Sequence, residues 1–249
     1  MAERTLYVGY LPAPRRHARA AMLLVLTGVL GLGLIAGALA ISQADPGRGV
    51  WKTDQLSELT GTLRIDPYPR LVIDGPDAGP REVLLVDQGK IGADDRARPF
   101  AGKSVKVTGA MIQWGDRAVI ELTGASTDFE EIGAGVAAAP AAPAPERVTL
   151  EGEIVDPKCY LGVMNPGRGK PHLACAELCI KGGIPPVLVV RAPGAAPTDP
   201  GDCYVLTTAE GGPARELVRG RVGMRVRVSG AASKGPGWWT LAADSVEPR

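Results

Sequence analysis

Residues 20–41 form an apolar run, AAMLLVLTGVLGLGLIAGALAI, that contains no charged side chain and one polar one, Thr27. An α-helix rises about 1.5 Å per residue, so a run of this length spans roughly the 30 Å of a bilayer's hydrocarbon core. No other segment of the sequence is as long and as apolar. The sequence therefore predicts one transmembrane anchor at residues 20–41, preceded by a tail at residues 1–19.

The charges before this run predict its orientation, because positively charged flanks stay on the cytoplasmic side. We expect a bacterial inner-membrane protein with a cytoplasmic tail and with its bulk in the periplasm or outside the cell. The alternative is a signal peptide that is cleaved near residues 42–44, although the apolar core of a signal peptide is typically about 7–15 residues long. The tail carries four arginines against one acid: Arg4, Arg15, Arg16 and Arg19 against Glu3.

Two glycines on the anchor suggest a partner within the membrane. Gly33 and Gly37 are four residues apart and so lie on one helix face. Small residues at this spacing let another transmembrane helix approach closely. We therefore expect the lipid bilayer and other membrane-protein subunits as partners, the latter through this face and through the exported part of the chain.

A Pro/Ala-rich segment divides the exported part into two related halves. Residues 131–147 contain GAGVAAAPAAPAPER and lack apolar periodicity, which is typical of an extended linker. In the half before it, residues 57–130, the segment GKSVKVTGA at 102–110 recurs as GMRVRVSGA at 223–231 in the half after it, residues 148–249. Matching glycine and apolar positions indicate an internal repeat.

Both halves alternate apolar and polar residues in short runs that end at glycine or proline. A period of two predicts antiparallel strands, and four or five strands per half suit a small closed barrel. The succession of strand, hairpin, Gly-x-x-Val-x-Val-x-Gly and strand resembles the OB-fold. The predicted fold class is mainly β: a single transmembrane helix followed by two OB-like antiparallel β-barrel domains, the second with an insertion that contains a short helix.

The charge balance argues against a nucleic-acid partner. Lys and Arg number 28 against 27 acids, and aromatic residues make up 4% of the chain. A nucleic-acid binder usually carries a basic face, and a single-strand binder also carries aromatic side chains on which bases stack. The sequence also lacks a nucleophile elbow, a phosphate loop and a zincin motif. These absences argue against an enzyme that acts on its own, and we assign no catalytic residues.

The repeat locates an insertion in the second half. Gly61 and Gly102 are 41 positions apart, whereas their counterparts Gly152 and Gly223 are 71 apart. The extra residues fall largely in 159–186, CYLGVMNPGRGKPHLACAELCIKGGIPP, which holds three of the four cysteines and the one histidine beyond the anchor. Function is expected in such a surface insertion.

The spacing of these side chains predicts a metal site. If residues 172–180 form a short helix, His172, Cys175 and Cys179 stand on one face, and Cys159 arrives from the end of a strand. Three thiolates and an imidazole make a tetrahedral ligand set that suits zinc, and the same soft donors suit copper. Covalent haem is not expected, because the sequence has no Cys-x-x-Cys-His motif.

The run CAELC at 175–179 resembles the Cys-x3-Cys loop of the binuclear copper site in cytochrome oxidase subunit II. That resemblance implies copper as a cofactor. The family places a histidine four positions after the second cysteine, where this chain has Gly183.

Two other interpretations of the insertion remain open. In an oxidising compartment, Cys159, Cys175, Cys179 and Cys203 can form two disulfides, in any of three connectivities. Separately, a glycine-rich loop that contains Arg168 and Lys170 leads into the predicted helix, where backbone amides can bind an anion.

Three functions follow from these alternatives. The first is an accessory subunit of a membrane-bound redox or metal-handling complex. The second is a purely structural docking subunit whose cysteines form disulfides. The third is a thiol-redox enzyme that uses Cys175 and Cys179, which requires an accessible thiol with a lowered pKa.

Overall fold

The structure is a computed structural model. It describes residues 13–43, 49–75, 79–135, 144–196, 198–235 and 237–249. The chain divides into two compact units, Met1–Asp45 and Pro46–Arg249, each of which is described by itself. Most of the predicted tail and the middle of the predicted linker lie outside the described residues.

The first unit contains one long helix, α1 (Arg15–Ser42), none of whose residues is buried. Its mean hydropathy reaches 2.4 over an 18-residue window, so the helix is long and apolar enough to cross a membrane. Its interior polar side chain, Thr27, donates a hydrogen bond to the carbonyl of Leu23 at 2.9 Å. The hydroxyl is thereby satisfied within the helix, as a lipid environment requires.

The second unit begins with a closed five-stranded barrel. Its strands follow the order β1-β2-β3-β5-β4, and β4 pairs back onto β1. A short helix, α2 (Asp94–Ala97), lies between the third and fourth strands. The strands are β1 (Val50–Arg64), β2 (Arg70–Gly75), β3 (Gly79–Val86), β4 (Lys103–Trp114) and β5 (Arg117–Leu122), with β6 (Phe129–Ala134) added beside β4.

A second closed barrel follows with the same strand order, β7-β8-β9-β11-β10 closing onto β7. The described part of the chain beyond α1 is therefore mainly β, with two five-stranded barrels that are compatible with OB-like barrels. The strands are β7 (Glu146–Val155), β8 (Val187–Val190), β9 (Asp202–Thr208), β10 (Arg225–Ser233) and β11 (Trp239–Pro248).

The barrels are not wholly antiparallel, which corrects the prediction from the sequence. One pair in each barrel is parallel, β3 with β5 and β9 with β11. The reason is geometric: strand directions cannot alternate all the way round a ring with an odd number of strands. A five-stranded barrel must therefore contain at least one parallel pair.

The internal repeat is also visible in how the first and fourth strands of each barrel pair. Gly61 pairs with Val105 in the first barrel, and the repeat-equivalent Gly152 pairs with Val226 in the second. The glycine before the fourth strand also donates its N–H to the first strand in both barrels, Gly102 to Leu63 at 2.8 Å and Gly223 to Ile154 at 2.7 Å.

Three strands extend beyond the boundaries expected from the sequence. The first strand begins at Val50, earlier than residue 57, and β6 and β7 include residues 131–134 and 146–147 of the predicted linker. These ends are mostly exposed. Hydrogen bonds from the backbone to a neighbouring strand hold these ends. Because such bonds need no buried apolar side chains, the sequence shows no alternating pattern there.

The two barrels pack into one body through buried polar contacts. The Tyr68 hydroxyl of the first barrel donates to the carbonyl of Leu206 at 3.0 Å and accepts from the N–H of Ala214 at 2.7 Å. In the other direction, the Trp238 indole N–H donates to the carbonyl of Ala118 at 2.9 Å. One apolar cluster contains side chains from both barrels, so the second unit has a shared core.

Candidate metal centre

The insertion between β7 and β8 folds against the first barrel. It contains a short helical turn, Cys159–Val163, and a helix, α3 (Leu173–Lys181), which ends at Gly182. The carbonyl of Gly182 accepts a hydrogen bond from the N–H of Gly92 at 3.0 Å. A Cβ atom at position 182 would lie 1.8 Å from the carbonyl oxygen of Lys90, so only glycine permits this approach.

The four predicted ligands fall into two overlapping groups. The ligand atoms of Cys159, His172 and Cys175 lie within 4.8 Å of one another, and those of Asp156, Cys159 and Cys179 do likewise. Cys159 belongs to both groups and therefore lies at their centre. Cys175 is half-buried, and the others are buried. This Cys/His cluster can hold a metal ion.

His172 is buried at 1% exposure and has one nitrogen without a partner. Its Nε2 lies 2.8 Å from the Asp156 Oδ2, whereas its Nδ1 has no hydrogen-bond partner. In a neutral imidazole, a carboxylate acceptor beside Nε2 favours the tautomer with the proton on that nitrogen, which leaves a lone pair on Nδ1. Metal-binding histidines are typically oriented by a carboxylate in this way.

The spacing of the sulfur atoms also suits a shared ion. The Sγ atoms of Cys159 and Cys175 are 4.0 Å apart. Two sulfurs that each lie about 2.3 Å from a tetrahedral metal ion are about 3.8 Å apart. A disulfide would need about 2.05 Å. The observed separation therefore matches two ligands of one ion.

Lys90 of the first barrel brings a positive charge to the cluster. Its Nζ donates a hydrogen bond to the Cys175 Sγ at 2.6 Å and lies 3.9 Å from the Cys179 Sγ. The hydrogen bond with Cys175 raises the pKa of Lys90. The ammonium group is therefore charged and favours thiolates in the cluster.

Cys159 and Cys179 differ in how readily their thiols lose a proton. The pKa of Cys179 is lowered, chiefly because the Cys159 thiol donates a hydrogen bond to it, and Lys90 lowers it further. The same hydrogen bond, together with burial, raises the pKa of Cys159. Cys179 is therefore the preferred thiolate of this pair.

Cys203 lies outside the cluster, although it was a disulfide candidate. It is completely buried, and burial raises its pKa to about 12. Its Sγ lies 3.7 Å from the carbonyl oxygens of Pro200 and Gly201. All four cysteines are free thiols in the structure.

The two residues of the predicted anion site lie in different surroundings. Arg168 is half-buried and lines a cavity with Arg191 and Arg225. Lys170 is exposed and does not line that cavity. This cavity is therefore lined by one of the two predicted residues, Arg168.

Asp156 and Lys90 were not among the residues predicted from the sequence. Asp156 directly follows β7 and lies three positions before Cys159, so its position close to the first cysteine was a usable signal. Lys90 is 85 residues from Cys175, and only the packing of the two barrels brings them together.

Comparisons of this chain with protein-family models, with curated proteins and with solved structures find no significant match.

Proposed function

We propose that this protein is a membrane-anchored accessory subunit of a membrane-bound redox or metal-handling complex. Helix α1 would hold it in a bacterial inner membrane, with the two OB-like barrels in the periplasm. The insertion of the second barrel would bind one zinc or copper ion through Cys159, His172, Cys175 and Cys179. The observation that carries this proposal is the grouping of the ligand atoms of Cys159, His172 and Cys175 within 4.8 Å, together with a buried His172 Nδ1 that has no hydrogen-bond partner.

The donor set and its burial support metal binding over a solvated thiol cluster. A set of three cysteines and one histidine is a common tetrahedral zinc set, and thiolates also select copper(I). The half-buried Cys175 gives the cluster one accessible edge. An ion could reach or leave the cluster at this edge while the other ligands stay in the core, which favours a metal-handling role.

The decisive experiment is metal analysis of the full-length chain, purified in a neutral detergent without chelator. We expect about one zinc or copper ion per chain. His172→Ala and Cys175→Ser should each lose the ion. Cys203→Ser is the matched control, because it removes a buried thiol outside the cluster and leaves a hydroxyl near two carbonyl acceptors.

The same metal analysis can also disprove the proposed metal site. Retention of the metal by both cluster variants would overturn the proposed ligands. A wild-type chain that binds neither zinc nor copper when both are supplied would overturn the metal site itself. No metal together with no free thiols would favour the docking subunit with two disulfides.

A thiol-redox role is the second candidate, and the proximity of the sulfurs favours it. The Cys159 and Cys175 Sγ atoms, 4.0 Å apart, need only a small movement to form a bond. Oxidation of the two thiols to a disulfide would pass two electrons and two protons to a partner disulfide, which becomes a dithiol. Mass spectrometry of the chain after incubation with oxidised glutathione tests this role: a Cys159–Cys175 disulfide supports it, and unchanged thiols exclude it.

A further inference from the structure

A cavity that is separate from the cysteine cluster opens on the side of the second barrel. Its volume is about 330 Å³, and its walls come from β7, β8, the insertion and the loop after β8. Three arginines from separate segments line it: Arg168 from the insertion, Arg191 after β8 and Arg225 at the start of β10. Small-molecule sites begin at about this volume.

The carboxylates in the wall neutralise these arginines only in part. Glu151 is bound by Arg227 at 2.8 Å and also by Arg249, neither of which lines the cavity. Glu153 accepts a hydrogen bond from the N–H of Gly169. None of the three lining arginines forms an ion pair within the part of the chain that the structure describes. The cavity therefore carries an excess of positive charge.

Arg191 has a hydrogen-bonding group that the protein leaves unsatisfied. Its Nη2 donates to the carbonyl of Ala196 at 2.6 Å, but its Nη1 is buried and has no partner. The nearby Tyr160 hydroxyl donates to the carbonyl of Pro200 at 2.7 Å. Burial raises the pKa of Tyr160 and interaction with Arg191 offsets part of that rise, but the Arg191 Nη1 itself has no acceptor in hydrogen-bond geometry. A buried guanidinium N–H without an acceptor is unfavourable, so the site is suited to an acceptor from outside the chain.

We propose that this cavity binds a phosphate group, held by Arg168, Arg191 and Arg225. Guanidinium groups match the oxygens of a phosphate with paired, charge-assisted hydrogen bonds. Three arginines against one carboxylate without a cationic partner, that of Glu153, suit a ligand with more than one negative charge. This site does not depend on the metal proposal, since it shares no ligand with the cysteine cluster.

Titration calorimetry tests the site with inorganic phosphate and the full-length protein in phosphatidylcholine nanodiscs. We expect saturable binding of one phosphate per chain. Arg168→Gln should weaken the affinity at least about tenfold, because a charged hydrogen-bond donor is lost. Arg168 makes no hydrogen bond or ion pair within the described residues, so this variant should keep its fold.

Arg219→Gln is the matched control, because Arg219 is exposed and pairs with Glu216 away from the cavity. It should leave the phosphate affinity within about twofold of wild type. Equal weakening by the two variants, or no saturable binding by the wild type, would overturn the proposal.

A second arm identifies the source of the phosphate. The titration is repeated in nanodiscs of phosphatidylglycerol, whose headgroup carries a phosphate. Loss of free-phosphate binding there, but not in phosphatidylcholine, assigns the cavity to a lipid headgroup. Retained binding assigns it to a soluble phosphate compound. Both results require the arginine cavity and differ only in what supplies the ligand.

Discussion

The Lys90 Nζ lies 2.6 Å from the Cys175 Sγ, although the two residues belong to different barrels. The same ammonium group is 3.9 Å from the Cys179 Sγ. The thiol cluster of the second barrel therefore takes its nearest positive charge from the first. This contact exists only while the barrels are packed together, so the chemistry of the cluster depends on the interface between them.

Replacing Lys90 by methionine should make the cluster thiols harder to ionise. Lys90 lowers the pKa of Cys179, so its removal should raise that pKa. Ultraviolet absorbance of the thiolate measures this in the metal-free protein: the midpoint of its rise should move to higher pH in Lys90→Met. Metal affinity should fall as well, since thiolates rather than thiols bind the ion.

Lys106→Met provides the comparison for this effect. Lys106 pairs with Glu130 at 2.5 Å on the first barrel, so its loss removes the same charge without a contact with sulfur. Its titration curve should match that of the wild type. A Lys90→Met curve that also matches the wild type would mean that Lys90 does not influence the thiols.

Replacing Asp156 by asparagine should weaken metal binding without removing a ligand. If the asparagine carbonyl keeps the hydrogen bond from the N–H of Cys159, its amide faces Nε2 of His172 as a donor. The imidazole proton then moves to Nδ1, the atom proposed to bind the ion. We expect a loss of about 10–100-fold in zinc affinity, measured by competition with a chromophoric chelator.

A control variant at another carboxylate shows whether zinc affinity falls merely because the protein has lost a negative charge. Asp116→Asn removes an exposed acid that pairs with Arg117. It should leave zinc affinity unchanged. Equal zinc affinity of Asp156→Asn and the wild type would show that Asp156 does not set the state of the imidazole.

Local patterns in the sequence were sufficient to predict much of the fold. Residues 104–108 alternate apolar and polar side chains in the sequence, and in β4 the apolar ones are buried while their neighbours are half-buried. No alternating run marks β2, because three apolar residues follow one another in its sequence, RLVIDG. The parallel pairs were missed because they depend on barrel closure, which no local pattern encodes.

The insertion was found by the spacing of the repeat, whereas its surroundings were not. Cys159, Cys175 and Cys179 lie close together in sequence, so the repeat and helical spacing were enough to group them. Lys90 and the arginines that line the proposed phosphate cavity come from distant segments. Their convergence is a result of tertiary packing, which the sequence of one chain does not display.

Counting thiols distinguishes a free cluster from disulfides. All four cysteines are free in the structure, so the chain unfolded without reductant should react with four equivalents of a thiol reagent. Fewer than four would reveal disulfides.

The order in which the thiols react is a second test. In the folded metal-free protein at pH 8, the half-buried Cys175 should be modified first. Cys203 should resist, because it is completely buried and its pKa is raised to about 12. Mass spectrometry of the labelled peptides gives the order.

Breaking the ion pair between Lys158 and Glu121 should destabilise the packed barrels. The Lys158 Nζ lies 2.6 Å from the Glu121 Oε1, and both side chains are almost completely buried. Lys158 also donates to the carbonyls of Asp87 and Gly89 at 3.1 Å and 2.7 Å. Lys158→Met leaves a buried carboxylate without a partner, so we expect unfolding to require about 3–5 kcal/mol less free energy. Tryptophan fluorescence during denaturant unfolding measures this change.

Two further variants separate the buried charge from the loss of a lysine. Lys158→Met combined with Glu121→Leu removes both charges and should recover most of the lost stability, because an apolar pair can replace a buried ion pair at little cost. Lys103→Met breaks an exposed pair with Glu131 and should cost less than about 1 kcal/mol. If the double variant is no more stable than Lys158→Met alone, the stranded carboxylate is not the source of the instability. The two backbone hydrogen bonds of Lys158 would then account for it.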